Sequence, residues 1–374
     1  MEMRGEELTL AELIAPVRRL ALVGLAKNTG KTQTLTSILA EQAAGGRTVG
    51  VTSIGRDGET RDAIDARIEK PAIELRAGSL VATTDALLRA SRLTHELLDR
   101  TGIRTPLGEV LIARLAETGT LEVAGPSTGE DLDEVGSAML ALGAEQVLID
   151  GSIDRRAASS PEVSEGLVMA TGAVLGEEVK DVVAATVTAV ELVRLPRAEP
   201  GEAAERVQTT ADDGGGGGDG DDGSNRDRRP VPVPGRLALT AEQEGIRALL
   251  REHPDTSAFA VDGALGERFL DGLARARHER EGRELKIIAR DPTSVFLAGH
   301  GPAWYERQGI AIEVSRPIEL LAITVNPLAP LRHRFESAEL RAAIEAAIPG
   351  VPVLDVLDES YLAAAGEPSP PTAD

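Results

Sequence analysis

Two α/β units on mostly parallel sheets, joined by an extended linker, are predicted by three features of this 374-residue sequence. Apolar runs of strand length alternate with helical runs in both halves of the chain. One sharp composition break, "QTTADDGGGGGDGDDGSNRDRRPVPVPG" at 208–235, divides them. The length suffices for two apolar cores, and with no cysteine in the chain those cores must hold without disulfides. The expected boundaries are a first domain over 1–207, a linker over 208–235 and a second α/β domain over 236–374.

In the first half, Leu20 to Gly24 reads as a strand, Lys31 to Gln42 as a helix and "RTVGVTSIG" as a second strand. A long helix is expected from about Thr84 to Asp99. "GTLEVAGPS" and "EQVLIDGS" are further strands. Between them Leu132, Val135, Met139 and Leu142 fall on one helical face, with Ser127 or Thr128 as cap and Glu130 and Asp131 in the first turn, where the helix dipole favours negative charge. "MATGAVLG" at 169–176 either places Thr171 and Gly172 beside a binding site at the sheet's edge or is a simple strand-ending turn. The linker's glycine run and aspartates cannot bury enough apolar surface to offset chain ordering, which predicts disorder. Its Asp212, Asp213, Asp219, Asp221 and Asp222 are hard oxygen ligands, but the closing glutamate of an EF-hand loop is missing. In the second half "TSAFAVDGAL", "RELKIIARDP", "GIAIEVS", "ELLAITVNP" and "VPVLDVL" are strand candidates, with a helix at Ala338 to Ala347.

The chemistry concentrates in "LALVGLAKNTGKTQTLTSILAEQ" at 20–42. A strand, a polar bend ending in Gly-Lys-Thr and a helix are the parts of a phosphate-binding loop, in which successive amides wrap a phosphate and the lysine reaches the terminal phosphates. Asn28, Thr29, Gly30, Lys31, Thr32 and Gln33 are the expected nucleotide-binding residues, and the Thr32 hydroxyl is a magnesium ligand. The pattern G-x-x-x-x-G-K-[ST] departs at its start, where Leu25 occupies the first glycine position and Gly24 comes one residue early. "VLIDGS" delivers Asp150 to the end of an apolar strand, as a Walker-B acid requires. Asp57 and Glu59 in "SIGRDGE" are alternative acids for magnesium or for orienting water. Lys31, Asp57 and Asp150 are thus the catalytic candidates, and Thr32, Asp57, Glu59 and Asp150 the metal candidates. Lys27 and Arg56 are further cations near the loop, and Asp154, Arg155 and Arg156 form a candidate switch after the strand. The cofactors implied are ATP and Mg2+; the absence of an N-K-x-D guanine signature leans away from GTP.

A formal charge of -21 and 2% aromatic residues argue against nucleic acid as a partner. No apolar stretch approaches the roughly 20 residues that span a bilayer, and the acidic N-terminus is unlike a secretory signal, so a cytoplasmic protein is expected. The five histidines show no metal-ligand spacing. The "GHGPAWYERQG" loop around His300 carries Trp304 and Tyr305 as packing anchors, with partner recognition as an alternative use.

Together "VGLAKNTGKTQTL", "TSIGRDGE", "KPAI" at 70–73, "VLIDGSIDRRAASSP" and "VNPLAPLRHRFES" at 325–337 resemble the KamB-type reactivase subunits associated with lysine 5,6-aminomutase. The resemblance implies a P-loop NTPase-like fold in which nucleotide turnover drives exchange of damaged cobalamin from an adenosylcobalamin-dependent aminomutase, together with a MutS-like ATPase subunit. It carries over Lys31, Thr32 and Asp150 to phosphate, magnesium and Walker-B roles. No cobalamin-binding D-x-H-x-x-G stretch is present, which points to an accessory ATPase rather than the mutase. Two other functions fit the same loop: an ATP-dependent small-molecule ligase or kinase, and a noncatalytic nucleotide-dependent binding module.

Overall fold

The computed structural model describes residues 8–55, 72–152, 156–199, 230–277, 284–330, 332–358 and 360–362. The protein is α/β and divides into two units, Met1–Val187 with Ile318–Asp374, and Thr188–Pro317.

The first unit opens with helix α1 (Leu10–Ile14), strand β1 (Arg19–Gly24), helix α2 (Lys31–Ala44) and strand β2 (Val49–Ser53). It continues through β3 (Ile73–Leu75), β4 (Leu80–Thr84), α3 (Asp85–Ser91), β5 (His95–Thr105), β6 (Gly108–Leu115) and β7 (Gly119–Leu121). Helix α4 (Gly129–Ala141), β8 (Gln146–Ser152) and β9 (Gly166–Gly172) follow, and the chain leaves the unit within α5 (Val179–Val193). The second unit contains β10 (Val231–Pro232), α6 (Gly235–Thr240), α7 (Gln243–Glu252), β11 (Ala258–Val261), β12 (Leu265–Gly266), α8 (Glu267–Arg277), β13 (Leu285–Ala289), β14 (Val295–Phe296), α9 (Pro302–Arg307) and β15 (Ile310–Val314). The chain then returns to the first unit with β16 (Glu319–Asn326), α10 (Ser337–Ala347) and β17 (Val353–Leu354).

The main sheet of the first unit runs β17-β16-β9-β1-β8-β2-β4-β6-β5. It is parallel from β17 to β4, and β6 lies antiparallel to both β4 and β5. Strands β1, β2 and β9 are short, nearly continuous buried runs, as expected of strands covered on both faces. Strand alternation sorts their side chains into two cores. Leu20 and Leu22 of β1, Val81 of β4, Leu111 and Ala113 of β6 and Leu148 of β8 pack with Leu35 and Ile38 of α2. Leu80, Ala82, Val110, Ile112, Val147 and Ile149 pack on the other face with Leu132, Val135 and Met139 of α4. Two residues beyond Leu148, Asp150 falls on the α2 side. Thr128 is the cap of α4, accepting from the Asp131 amide at 3.1 Å.

In the second unit β10, β11, β13 and β15 form a parallel sheet in that order. Phe259, Val261, Ile287, Ala289, Ile312 and Val314 pack against Ile246 of α7, Phe269 and Leu273 of α8, and Tyr305 of α9.

Three expectations are corrected. The helix expected over Thr84 to Asp99 stops at Ser91; Arg92 turns to φ +56°, and residues 95–105 form the edge strand of the main sheet. "GTLEVAGPS" contributes only the three residues of β7, paired with β3 outside the main sheet. The chain also divides elsewhere than at the glycine-acid segment. "ELLAITVNP" and "VPVLDVL" supply β16 and β17, which extend the first sheet beside β9. Leu195 already belongs to the second unit's core, and Val231–Pro232, inside the expected linker, pairs with β11. A composition break marks hydrophilic chain, and strand pairing decides which sheet a later strand joins. Residues 208–229 of that linker lie outside the described residues.

Candidate functional site

Strand β1 lies between β8 and β9, with Gly24 opposite Ser152 on one side and Ala170 on the other. The chain leaves it under control: the Leu25 amide donates to the Ala170 carbonyl at 3.0 Å. Among the described non-glycine residues, positive φ is confined to Asn28, Arg92 and Ala241, so Leu25 carries no such strain at the position where the pattern wants glycine. Gly24 provides the close approach instead, since a Cβ there would stand 2.9 Å from Thr29 Oγ1. The buried Thr29 hydroxyl donates to the Ala26 carbonyl at 3.0 Å, closing the bend. Asn28 at φ +66° and Gly30 at φ +88° take the left-handed conformations that turn the chain into α2.

Gly30 begins the 14-residue α2 without a side-chain cap, and no acidic residue occupies the first turn. Helix α4, by contrast, has both Thr128 and a Glu130-Asp131 pair, so α2 lacks the carboxylates of its own first turn that α4 carries. Lys31, the first helical residue, folds across to the end of β8. Its ammonium lies 2.7 Å from Asp150 Oδ1 and donates to the Gly151 carbonyl at 2.7 Å. Both side chains of the pair are about one-fifth exposed, at 23% and 18%. Asp150 itself is paired in register with Leu22 of β1 and Ser53 of β2, at the carboxyl end of the sheet where ligands of open α/β sheets gather.

Two residues of this site were not anticipated. Asn326, the last residue of β16, donates from Nδ2 to the Asn28 carbonyl at 2.9 Å. Thr324 shares a 2.7 Å hydroxyl hydrogen bond with Thr34, whose hydroxyl also reaches the Gly30 carbonyl at 3.2 Å. The sequence signals were an apolar run ending in Asn-Pro and the "VNPLAPLRHRFES" stretch that this Asn-Pro opens. On the far side of β8, the Gly125 amide donates to the Ser53 carbonyl at 3.0 Å and the Gly55 amide to the Pro126 carbonyl at 2.5 Å. The segment between β7 and α4 thereby crosses the end of β2.

Lys31 and Asp150 are therefore brought together, with Asn28, Thr29, Gly30, Thr32 and Gln33 on the same loop and first turn. Thr32 is half-buried; Lys27 and Gln33 are exposed. Asp57 and Glu59, with Arg56, lie outside the described residues, as do Asp154 and Arg155. Arg156 begins a short 3-10 turn. Thr171 is buried and bonded to the Thr186 hydroxyl at 2.7 Å, which makes it part of the packing between β9 and α5.

Among the described residues no group of three or more His, Asp or Glu is arranged to hold a metal ion. Magnesium on a nucleotide needs only one or two protein oxygens besides the phosphates, and Thr32 with Asp150 is a donor set of that size. In the second unit, Tyr305 is buried and His300 stacks on Trp304 with centroids 4.0 Å apart, consistent with packing anchors. Among the described residues no helix is long and apolar enough to cross a membrane. The chain matches no protein-family model, no curated protein and no solved structure.

Proposed function

We propose that the first unit binds the phosphates of a nucleoside triphosphate at residues 28–33 and hydrolyses it with magnesium, ATP being the expected nucleotide. The observation that carries this reading is the Lys31 ammonium, poised at an uncapped, acid-free helix N-terminus and steadied by Asp150 and the Gly151 carbonyl. An ammonium has three donors, so a third remains for phosphate beside those two partners. The amides of the first turn of α2 and the left-handed bend before it supply the dipolar part of an anion cradle. Magnesium, held by Thr32 and Asp150, would neutralise charge on the phosphates. Lys31 stabilises the charge developing on the transferred phosphoryl group, the largest contribution a site of this kind makes.

The protein partner we propose rests on the resemblance: an adenosylcobalamin-dependent aminomutase, acting with a MutS-like ATPase subunit. Hydrolysis would then drive a conformational change that releases damaged cobalamin. Turnover stimulated by the aminomutase supports this over a small-molecule ligase or kinase, which would require an organic acid substrate.

Calorimetric titration with MgATP tests the nucleotide site. Lys31→Ala removes a charge-assisted contact worth about 1.5–3 kcal/mol, which corresponds to a loss of affinity of about 10- to 100-fold in a folded variant. Asp150→Asn should lower magnesium-dependent turnover by at least about 10-fold while changing metal-free ATP affinity by less than about 3-fold, since it removes charge where the metal sits. Parent affinity in folded Lys31→Ala, or no ATP binding by the parent, sinks the assignment.

A further inference from the structure

We propose that Asn326 is a positioning residue for the 25–30 loop: from the end of β16 it fixes the Asn28–Thr29 peptide so that the Thr29 amide faces the phosphate. The proposal rests on the nucleotide-site reading above and adds a residue from the far end of the chain to it.

The amide of Asn326 is held at both ends. Its Oδ1 accepts from the Leu328 amide at 3.0 Å, which leaves Nδ2 to donate to the Asn28 carbonyl at 2.9 Å. In a trans peptide the carbonyl of one residue and the N–H of the next point in opposite directions. Drawing the Asn28 carbonyl toward β16 therefore turns the Thr29 N–H away from β16. The same bond supports Asn28 at φ +66°, a left-handed conformation that asparagine adopts more readily than most residues but that still costs it free energy.

Packing reinforces the bond. A Cβ on Gly30 would stand 3.0 Å from Asn326 Cβ, so the Asn326 side chain backs the second left-handed residue of the loop as well. Asn326 is opposite Gly172 of β9 in register, and a Cβ on Gly172 would collide with the Asn326 carbonyl. Glycine at 172 thus lets Asn326 sit this close to the sheet. Two residues earlier on the same strand face, Thr324 grips Thr34 one turn into α2. Strand β16 accordingly touches the loop and its helix at residues 28, 30 and 34, and Asn326 is the member that acts on the peptide planes of the loop.

Two variants separate this role from a general loss of stability. Asn326→Ala removes the donor and the backing of Gly30. Asn326→Asp keeps an acceptor for the Leu328 amide but replaces the donor to Asn28 with a carboxylate oxygen. Each is titrated with MgATP and MgADP beside Lys31→Ala, and nucleotide-free hydrogen exchange is read over residues 25–34. Both variants should lose about 5- to 50-fold in affinity, keep a thermal midpoint within about 4 °C of the parent, and exchange faster over residues 25–34 than elsewhere in the first unit. If Lys31→Ala loses affinity while either Asn326 variant binds like the parent, the positioning role is wrong and the nucleotide site stands. Loss of affinity with faster exchange throughout the first unit also overturns it, because Asn326 would then be a packing residue. If Lys31→Ala binds like the parent, the nucleotide site fails and the positioning role fails with it.

Discussion

Tyr361→Phe should loosen the first unit at α1 far more than the loss of one oxygen atom would ordinarily do. The Tyr361 hydroxyl donates to Glu41 Oε1 at 2.5 Å and accepts from the Leu10 amide at 3.0 Å. Glu41, on the helix that begins with Lys31, also accepts from the Ala11 amide at 2.8 Å and the Ser37 hydroxyl at 3.1 Å. Glu41 and Tyr361 are 7% and 2% exposed. The buried carboxylate and the phenol therefore satisfy the first amides of α1 and tie α1, α2 and the C-terminal segment together. Removing the hydroxyl loses a hydrogen bond to a charged acceptor, about 1.5–3 kcal/mol, and leaves the Leu10 amide buried without that acceptor, about 1–3 kcal/mol more. A net destabilisation of about 3 kcal/mol is expected once the phenyl ring's unchanged packing is retained. Hydrogen exchange resolved on α1 and α2 is the direct assay, because 3 kcal/mol corresponds to roughly 100-fold faster exchange through unfolding. Ser37→Ala, which deletes one of the three donors to Glu41 and orphans no amide, should cost only about 1 kcal/mol. A Tyr361→Phe effect under about 0.5 kcal/mol, or equal to that of Ser37→Ala, would refute the reasoning that the phenol satisfies Leu10.

Two further outcomes are expected. Burial, reinforced by bonds to Asp271 and Glu41, pushes the phenols of Tyr305 and Tyr361, the only tyrosines of the chain, well above their ordinary value. The folded state then holds both protons where the unfolded chain releases them, so stability is complete below about pH 10 and falls above it by about 1.4 kcal/mol per pH unit for each tyrosine. Phenolate absorbance should stay absent at pH 11 until unfolding; a phenolate signal in folded protein near pH 10 would contradict this. Gly125→Ala places a methyl against the Ser53 carbonyl and the Thr52 hydroxyl, and should destabilise the first unit by about 1–3 kcal/mol in urea unfolding, whereas an unchanged midpoint would mean that the crossing over β2 yields easily.

The parts of the molecule that local rules govern were legible in the sequence. The β1-loop-α2 succession, a cap at Ser127 or Thr128 and a helical face of Leu132, Val135, Met139 and Leu142 follow from periodicity and capping; the structure shows the succession, places the cap at Thr128, and buries Leu132, Val135 and Met139 while Leu142 ends the helix. The β5–β6 hairpin was hidden because the first half of β5, residues 95–100, does not alternate. Register shifts between Leu97 and Asp99 and between Arg100 and Arg104 interrupt its pairing with β6. Bulges of this kind are also what keeps a long edge strand from templating another chain. The hairpin turns at Thr105-Pro106-Leu107-Gly108, which ends in a glycine at φ +121°.

The site divides along the same line. Lys31 and Asp150 could be assigned to one site in advance because a strand-loop-helix and a second apolar strand ending in Asp-Gly are each local patterns, and parallel neighbours bring their carboxyl ends to one edge. Asp150 meets Lys31 because it shares parity with Leu148, which packs on the α2 face. Asn326 obeys no local rule. It lies 298 residues from the carbonyl it holds, and the strand that carries it reads from sequence as the natural continuation of the second unit's sheet. Pairing with β9 overrides that expectation: β16 satisfies its backbone between β9 and β17, and its buried run, Leu321 to Val325, meets α1 and α10 of the first unit. The residue that holds the loop is thus supplied by a strand that returns to the first sheet only after the chain has built the second unit.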